Sequence, residues 1–314
     1  MPRVVLSGYY GFQNAGDEAI LYSIIKALRK VSPDIEMLVL SNSPSETSLR
    51  HGVEAANRWC IKEIYSEIRK SDLFISGGGS LLQDVTGLKS LVYYLGIVFL
   101  AKLLGKPVMF YAQGIGPINS FIGRVLTKIA ADRVDLITVR DENSRKLLEN
   151  LGVARPEIKV VSDPVMALAP APRDRQKGLE LLTHLGMEKA LGSESSIIGV
   201  SVRSWPGSQV FMEGLAALCD DLARQGWQIL FTPMHFPEDL KISENIAGMM
   251  ENESYILDRE IDLPLLLGVM SNLEFLMGMR LHSLVFAAVS GTPSIGISYD
   301  PKIDSFVEQI GQFN

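Results

Sequence analysis

The pattern that most narrows the fold is a short apolar run that ends on glycine or glutamine and hands over to a helix-periodic stretch. Val4–Ser7 runs into Gly8, Leu73–Ser76 into the glycines 77–79, and Val108–Ala112 into Gln113-Gly-Ile-Gly-Pro117. These runs are continuous rather than alternating, which marks strands buried on both faces of a parallel sheet. Over 17–30, Ile20, Ile24, Ala27 and Leu28 recur at helical spacing. Helices are also expected through Leu100, over 123–133 and from Glu142, and strands at 37–40, 136–139 and 160–162. Alternating strands and helices make a doubly wound α/β layer, and the loops leaving the carboxyl ends of its strands gather where such sheets bind ligands. The turns at 8–16, 77–79 and 114–117 are therefore expected to converge.

A break follows at Ala167-Leu-Ala-Pro-Ala-Pro172 and the charged run 173–177, which reads as a linker. The alternation then restarts, with strands expected at 197–202, 228–232, 255–257, 275–277 and 294–298. Helices are expected over 211–225, 242–250, 264–272 and 282–289. Two α/β domains, 1–168 and 169–314, facing an interdomain cleft account for this pattern and for the 314-residue length. A hydrophobic content of 47% excludes global disorder, and a net charge of −6 argues against indiscriminate nucleic-acid binding. Cys60 and Cys219 make neither a disulfide framework nor a metal quartet, so a reducing, cytoplasmic setting is expected. The longest apolar run, Leu91–Ala101, has 11 residues, against the ~20 that span a bilayer. It reads as a buried helix, with a surface anchor as the alternative.

Several constellations could carry chemistry. In the turn Gly8–Glu18, Gly11 and Gly16 allow close backbone approach and Asn14 and Asp17 are polar groups at a strand's end, which reads as a wall of the cleft, with a helix cap in a tight turn as the alternative. Gly78 and Gly79, with Gln83 and Asp84 following, could cradle a phosphate or a sugar, as could Gly114 and Gly116. The turn at 8–18 matches neither a dinucleotide fingerprint nor a Walker motif. Arg140 and Arg203 each end a strand, and Arg124 follows the third glycine turn; anion binding and structural ion pairs compete as explanations. Met279-Arg280-Leu281-His282-Ser283 combines a helix start with a fixed cation and a titratable donor, equipment for an anionic substrate that needs proton transfer. His235 lies after another strand, whereas His51 and His184 read as surface residues. Lys302 follows the last strand and could meet a phosphate, with Asp300 orienting it, while Trp205 could wall a sugar ring and Trp227 reads as core. No metal site or Gly-x-Ser-x-Gly elbow can be drawn.

Taken together, G-Y-Y-G-F-x-N-x-G-D-E at 8–18, G-G-G-S-L-L-Q-D at 77–84, Q-G-I-G-P at 113–117, V-R-D-E-x-S at 139–144, D-P at 163–164, R-L-H at 280–282 and Y-D-P-K at 299–302 resemble the polysaccharide pyruvyl transferase family. The resemblance covers essentially the whole chain and is strongest to members that modify a bacterial secondary cell-wall polymer. It implies two Rossmann-like parallel-sheet domains in the glycosyltransferase B architecture. It also implies transfer of the enolpyruvyl unit of phosphoenolpyruvate to a sugar as a ketal, with no cofactor besides that donor. The implied acceptor is N-acetylmannosamine in a polyprenyl-diphosphate-linked disaccharide, ketalised at its 4,6 positions at the inner face of the membrane. This implies peripheral membrane contact, no nucleic acid, and a product used in surface-layer anchoring. On this reading His282 is the general acid, Arg280 clamps the carboxylate or phosphate with Arg140 as a second clamp, and Lys302 supports the leaving phosphate. Leu281 completes the R-L-H segment, and the glycine turns with Asn14 and Asp17 receive the acceptor. Family chains usually run on after Y-D-P-K, so a longer C-terminus, returning as a helix to the first domain, is expected. Two other functions fit the architecture: a nucleotide-sugar glycosyltransferase, and a bilobed ligand-binding protein without turnover.

Overall fold

The computed structural model describes residues 1–85, 87–187, 196–205 and 209–311. The chain divides into two compact units, one of Met1–Phe12 with Asp17–Ala167 and one of Gln13–Gly16 with Leu168–Asn314. The first is built on a seven-stranded parallel sheet. Its strands are β1 (Arg3–Ser7), β2 (Glu36–Ser41), β3 (Glu54–Asn57), β4 (Leu73–Gly77), β5 (Val108–Gln113), β6 (Leu136–Val139) and β7 (Ile158–Val160), in the order β3-β2-β1-β4-β5-β6-β7. β1 is central, Val4 pairing with Met37 on one side and Leu73 on the other, and Val5 and Leu6 are fully buried. Helices α1 (Ala15–Val31), α2 (Pro44–His51), α3 (Ile61–Lys70), α4 (Leu88–Leu103), α5 (Phe121–Ala131) and α6 (Glu142–Asn150) make the crossovers. Leu91, Leu95, Val98 and Ala101 of α4 are in the core, so the long apolar run is a buried helix.

The second unit repeats the plan with β8 (Ile197–Ser201), β9 (Gln228–Phe231), β10 (Ser254–Ile256), β11 (Phe275–Gly278) and β12 (Ser294–Gly296), all parallel in the order β10-β9-β8-β11-β12. Its helices are α7 (Pro172–His184), α8 (Gln209–Arg224), α9 (Glu238–Ala247), α10 (Leu263–Met270), α11 (Leu281–Ser290) and α12 (Pro301–Gln309). In each sheet the strand order reverses once, between β1 and β4 and between β8 and β11. These are the switch points where doubly wound sheets open a crevice at their carboxyl edge.

The structure adds elements that the periodicity did not indicate. α2, β3 and α3 fill 44–70, because β3 reads Glu-Ala-Ala-Asn and gains its pairing only as an edge strand beside β2. α7 begins inside the 167–177 linker. Pro172 occupies its first turn, and Asp174 Oδ2 accepts the Ala171 N–H at 2.9 Å, closing the helix start. β7 sits two residues earlier than the expected 160–162, α9 starts at Glu238 rather than 242, and α12 follows β12. The expectation of continued chain concerns residues beyond the end of α12, of which 312–314 lie outside the described residues.

α7 and α10 cross with backbone touching backbone. A Cβ on Gly268 would collide with the Asp174 carbonyl, and one on Gly178 with the Gly268 peptide. Gly96, exposed on α4, has open space around it. Gly268→Ala is therefore expected to cost about 1–3 kcal/mol by overpacking, while Gly96→Ala gains ~0.5–1 kcal/mol from helix propensity. Urea midpoints of the two variants check both signs.

Candidate active site

The second unit's site is organised by Asp239, which is fully buried. Its carboxylate takes a bidentate grip from Arg280, with Nε donating to Oδ2 at 2.9 Å and Nη2 donating to Oδ1. The same Oδ2 accepts the backbone N–H groups of His235 at 3.0 Å and Met234 at 3.3 Å. A buried carboxylate is tolerated only when paired and hydrogen-bonded. Here those partners join the turn after β9 to the turn after β11, fixing Arg280 at the switch point. Sequence reading missed Asp239, whose place in the first turn of α9 looks like ordinary helix-dipole compensation. The signal lay in the second acid of Pro-Glu-Asp following His235.

His282 stands in the first turn of α11, its ring 6.1 Å from that of Phe286 one turn on. Gly16 packs directly on it, and a Cβ there would collide with Nδ1. The short segment Gln13–Gly16 lies along the His235 turn as a strand would: Ala15 N–H donates to Met234 O at 2.8 Å and Phe236 N–H to Gln13 O at 3.2 Å. Asn14 bridges His235 in antiparallel fashion and its Oδ1 accepts the Gly16 N–H at 3.0 Å. His235 Nδ1 is 3.6 Å from Glu238 Oε2. The unit thus gathers Asn14, Gly16, His235, Asp239, Arg280 and His282, with Leu281 half-buried between the last two.

At the same edge Arg203 Nη1 donates to the Tyr299 hydroxyl at 2.7 Å, with the guanidinium 4.9 Å from that ring's centroid. Trp205 meets Tyr299 edge-on at 4.8 Å. Asp300 caps α12 by accepting the Lys302 N–H at 3.1 Å, and Lys302 Nζ lies 3.6 Å from its Oδ2.

In the first unit the glycine turns pack against one another. Gly114 N–H donates to Gly79 O at 2.9 Å and Gly116 N–H to Leu82 O at 2.7 Å. Gly79, at φ +68°, lies against Asp17, where a Cβ would sit 2.7 Å from Oδ1; Gly78 is pressed on Ile20. Arg140 is buried behind Gly114, with Nη2 donating to Ser80 Oγ at 2.9 Å and Nη1 to Asp163 Oδ2 at 3.4 Å. Gln83 Oε1 accepts the Val85 N–H at 2.7 Å. Arg124 points from the exposed face of α5.

Gly11 N–H donates to Glu18 Oε1 at 2.8 Å, and Glu18 Oε2 meets His51 Nε2 at 3.0 Å. His51 is therefore buried, correcting its reading as a surface residue, because Glu18 draws it beneath the first glycine turn. Arg58 also escaped the sequence reading. It donates to Gly8 O at 2.7 Å and to the Tyr94 hydroxyl at 3.1 Å, and Phe12, Trp59, Tyr93 and Tyr94 surround its guanidinium. Burial pushes the Tyr94 hydroxyl up to about 12, against the pull of Arg58. Among the described residues no cluster of three or more His, Cys, Asp or Glu is placed to hold a metal ion.

Removing the Asp239 carboxylate leaves a partly buried guanidinium and two turns untied, so Asp239→Ala is expected to destabilise the protein by about 3 kcal/mol. A urea midpoint within error of the parent would contradict this. Gly16→Ala should displace the His282 ring, read as a shift of its imidazole proton resonances; unchanged resonances would contradict the packing described.

The family model described as polysaccharide pyruvyl transferase matches residues 14–301, from Asn14 inside the first glycine turn to Pro301. The amylovoran biosynthesis protein AmsJ of Erwinia amylovora is 20% identical, over 98% of this chain and 86% of its own. Two solved structures share the fold: Anabaena HepE in complex with UDP-glucose, and a putative UDP-N-acetylglucosamine 2-epimerase from Listeria monocytogenes. HepE has a TM-score of 0.62 at 14% identity, covering 94% of this chain and 80% of its own. The Listeria protein has a TM-score of 0.65 at 13% identity, covering 98% and 81%. With two parallel α/β sheets and a family match that takes in both, the chain belongs to the polysaccharide pyruvyl transferase family.

Proposed function

We propose that this protein transfers the enolpyruvyl unit of phosphoenolpyruvate to two hydroxyls of a glycan sugar, forming a pyruvate ketal and releasing phosphate. The observation that carries this reading is the placement of Arg280 and His282 together at the switch point of the second sheet, inside the family match. Phosphoenolpyruvate is a small, highly charged anion. Arg280, oriented by Asp239, supplies a guanidinium suited to a carboxylate or phosphate, and the start of α11 adds backbone N–H groups. His282 is the proposed general acid. Its proton passes to the methylene carbon, making a methyl group and leaving a cationic carbon that takes the first sugar hydroxyl. Departure of phosphate and attack by the second hydroxyl close the ketal. One hydroxyl proton returns to His282 and the other leaves with phosphate, so charge and protons balance.

Lys302 is assigned to the leaving phosphate, with Arg203 and His235 as further donors around the anion. Arg140, hydrogen-bonded to Ser80 and Asp163, is assigned as the weaker second clamp. The acceptor is assigned to Asn14 and Asp17 with Gly11, Gly78, Gly79, Gln83, Gly114 and Gly116. By the likeness of its motifs to the cell-wall polymer pyruvyl transferase CsaB, the acceptor is N-acetylmannosamine of a polyprenyl-diphosphate-linked disaccharide. The reaction then takes place at the inner face of the membrane.

Phosphate release from phosphoenolpyruvate should depend on that disaccharide, and the product should gain the mass of one pyruvate less one water. Release that ignores the acceptor, or none at all, would overturn the reading. His282→Gln should lower kcat by about 10²–10⁴-fold, with the KM for donor little changed. Near-normal turnover at saturating donor would remove His282 from the acid role.

A further inference from the structure

α5 presents the wrong kind of face to solvent. Its inner side is formed by Gly123, Thr127, Ala130 and Ala131, all buried. Its outer side carries Phe121, 80% exposed, Ile122, 56%, Val125, 38%, and Ile129, 37%. Single exposed apolar residues are ordinary, but four at i, i+1, i+4 and i+8 make a continuous stripe, and such stripes mark interaction surfaces. The stripe extends beyond the helix. Asp84 accepts the N–H groups of Asn119 at 2.8 Å and Ser120 at 2.7 Å, which fastens the loop carrying Val85, 65% exposed, to the start of α5. Burial opposes the Asp84 charge, yet these donors outweigh it and hold the carboxyl below its usual range. α4 packs beside α5 and also exposes Val92 and Leu103.

The charge around this surface runs against the rest of the chain. Between residues 84 and 135 stand Lys89, Lys102, Lys106, Arg124, Lys128 and Arg133 against Asp84, Asp132 and Asp135, a basic excess in a protein whose net charge is −6. Lys128 is paired with Asp132 and Lys102 with Asp135, while Lys89 and Arg124 are exposed beside the apolar residues. A helix with an apolar face fringed by basic residues suits the headgroup boundary of an anionic bilayer, where acyl chains take the apolar groups and phosphates meet the cations. At 11 residues α5 can lie in that boundary but not cross it, and no described helix is long and apolar enough to cross a membrane.

We propose that α5 and the Val85 loop form a membrane-resting surface, seated in plane on anionic lipid. It explains how a protein of this charge would reach a lipid-linked substrate, yet its test needs neither donor nor acceptor, so it stands or falls apart from the proposed reaction. The experiment is co-sedimentation of the full chain with vesicles of phosphatidylcholine alone and of phosphatidylcholine with phosphatidylglycerol, at low and high salt. Binding is expected to the phosphatidylglycerol vesicles, to weaken in high salt and to be at least about tenfold weaker for the double variant Phe121→Ser, Ile122→Ser. Both residues are exposed, so circular dichroism and melting should match the parent. The proposal is overturned if the parent binds neither vesicle or if the double variant binds as well as the parent. It is also overturned if light scattering shows a parent oligomer that the variant dissolves, which would make this face a contact between copies.

Discussion

A sheet whose strands all run parallel cannot close with hairpins; every strand must be followed by a crossover that returns the chain over a face of the sheet. Both sheets here obey that constraint, and most other features follow from it. Helices cover both faces, so the inner strands are apolar over most of their length. The turns after β1, β4 and β5 leave from one edge and must pass close together, which is why Gly79 meets Asp17 and Gly114 meets Arg140 with no room for a Cβ. The glycines in these turns answer a packing demand before they answer any ligand.

The carboxyl edge of the second sheet concentrates charge, and the protein pays for keeping it fixed with a buried carboxylate. Asp239 is satisfied by Arg280 and two backbone N–H groups, and in return the turns after β9 and β11 are held as one piece. Glu18 plays a related part in the first unit, joining the Gly11 turn to His51. In both, an acid in the first turns of a helix reaches outward to tie down a loop.

The strands and major helices were legible because burial on two faces writes itself as continuous apolar runs and helical periodicity. β3 was not, since an edge strand of Glu-Ala-Ala-Asn owes its conformation to β2 and carries no such run. α7 was hidden by Pro172 and its charges, which read as a linker until the Asp174 cap shows them to be a helix start. At the site, Arg280 and His282 stood out as a cation and a titratable group beside glycine. Asp239, Arg58 and the burial of His51 depend on contacts across the fold, at sequence separations that local pattern does not report. The apolar run of α4 drew attention as a possible anchor and is core, whereas the exposed stripe of α5 is visible only once the helix is seen to turn Gly123, Thr127 and Ala130 inward.

The central claim is that a proton is delivered to the methylene carbon of phosphoenolpyruvate beside Arg280. Running the transfer in heavy water and reading the ketal methyl group by mass and NMR tests it directly. The account predicts one solvent-derived deuterium in each product methyl, and loss of that product signal with His282→Gln. A ketal methyl without solvent deuterium, formed at the usual rate, would contradict it.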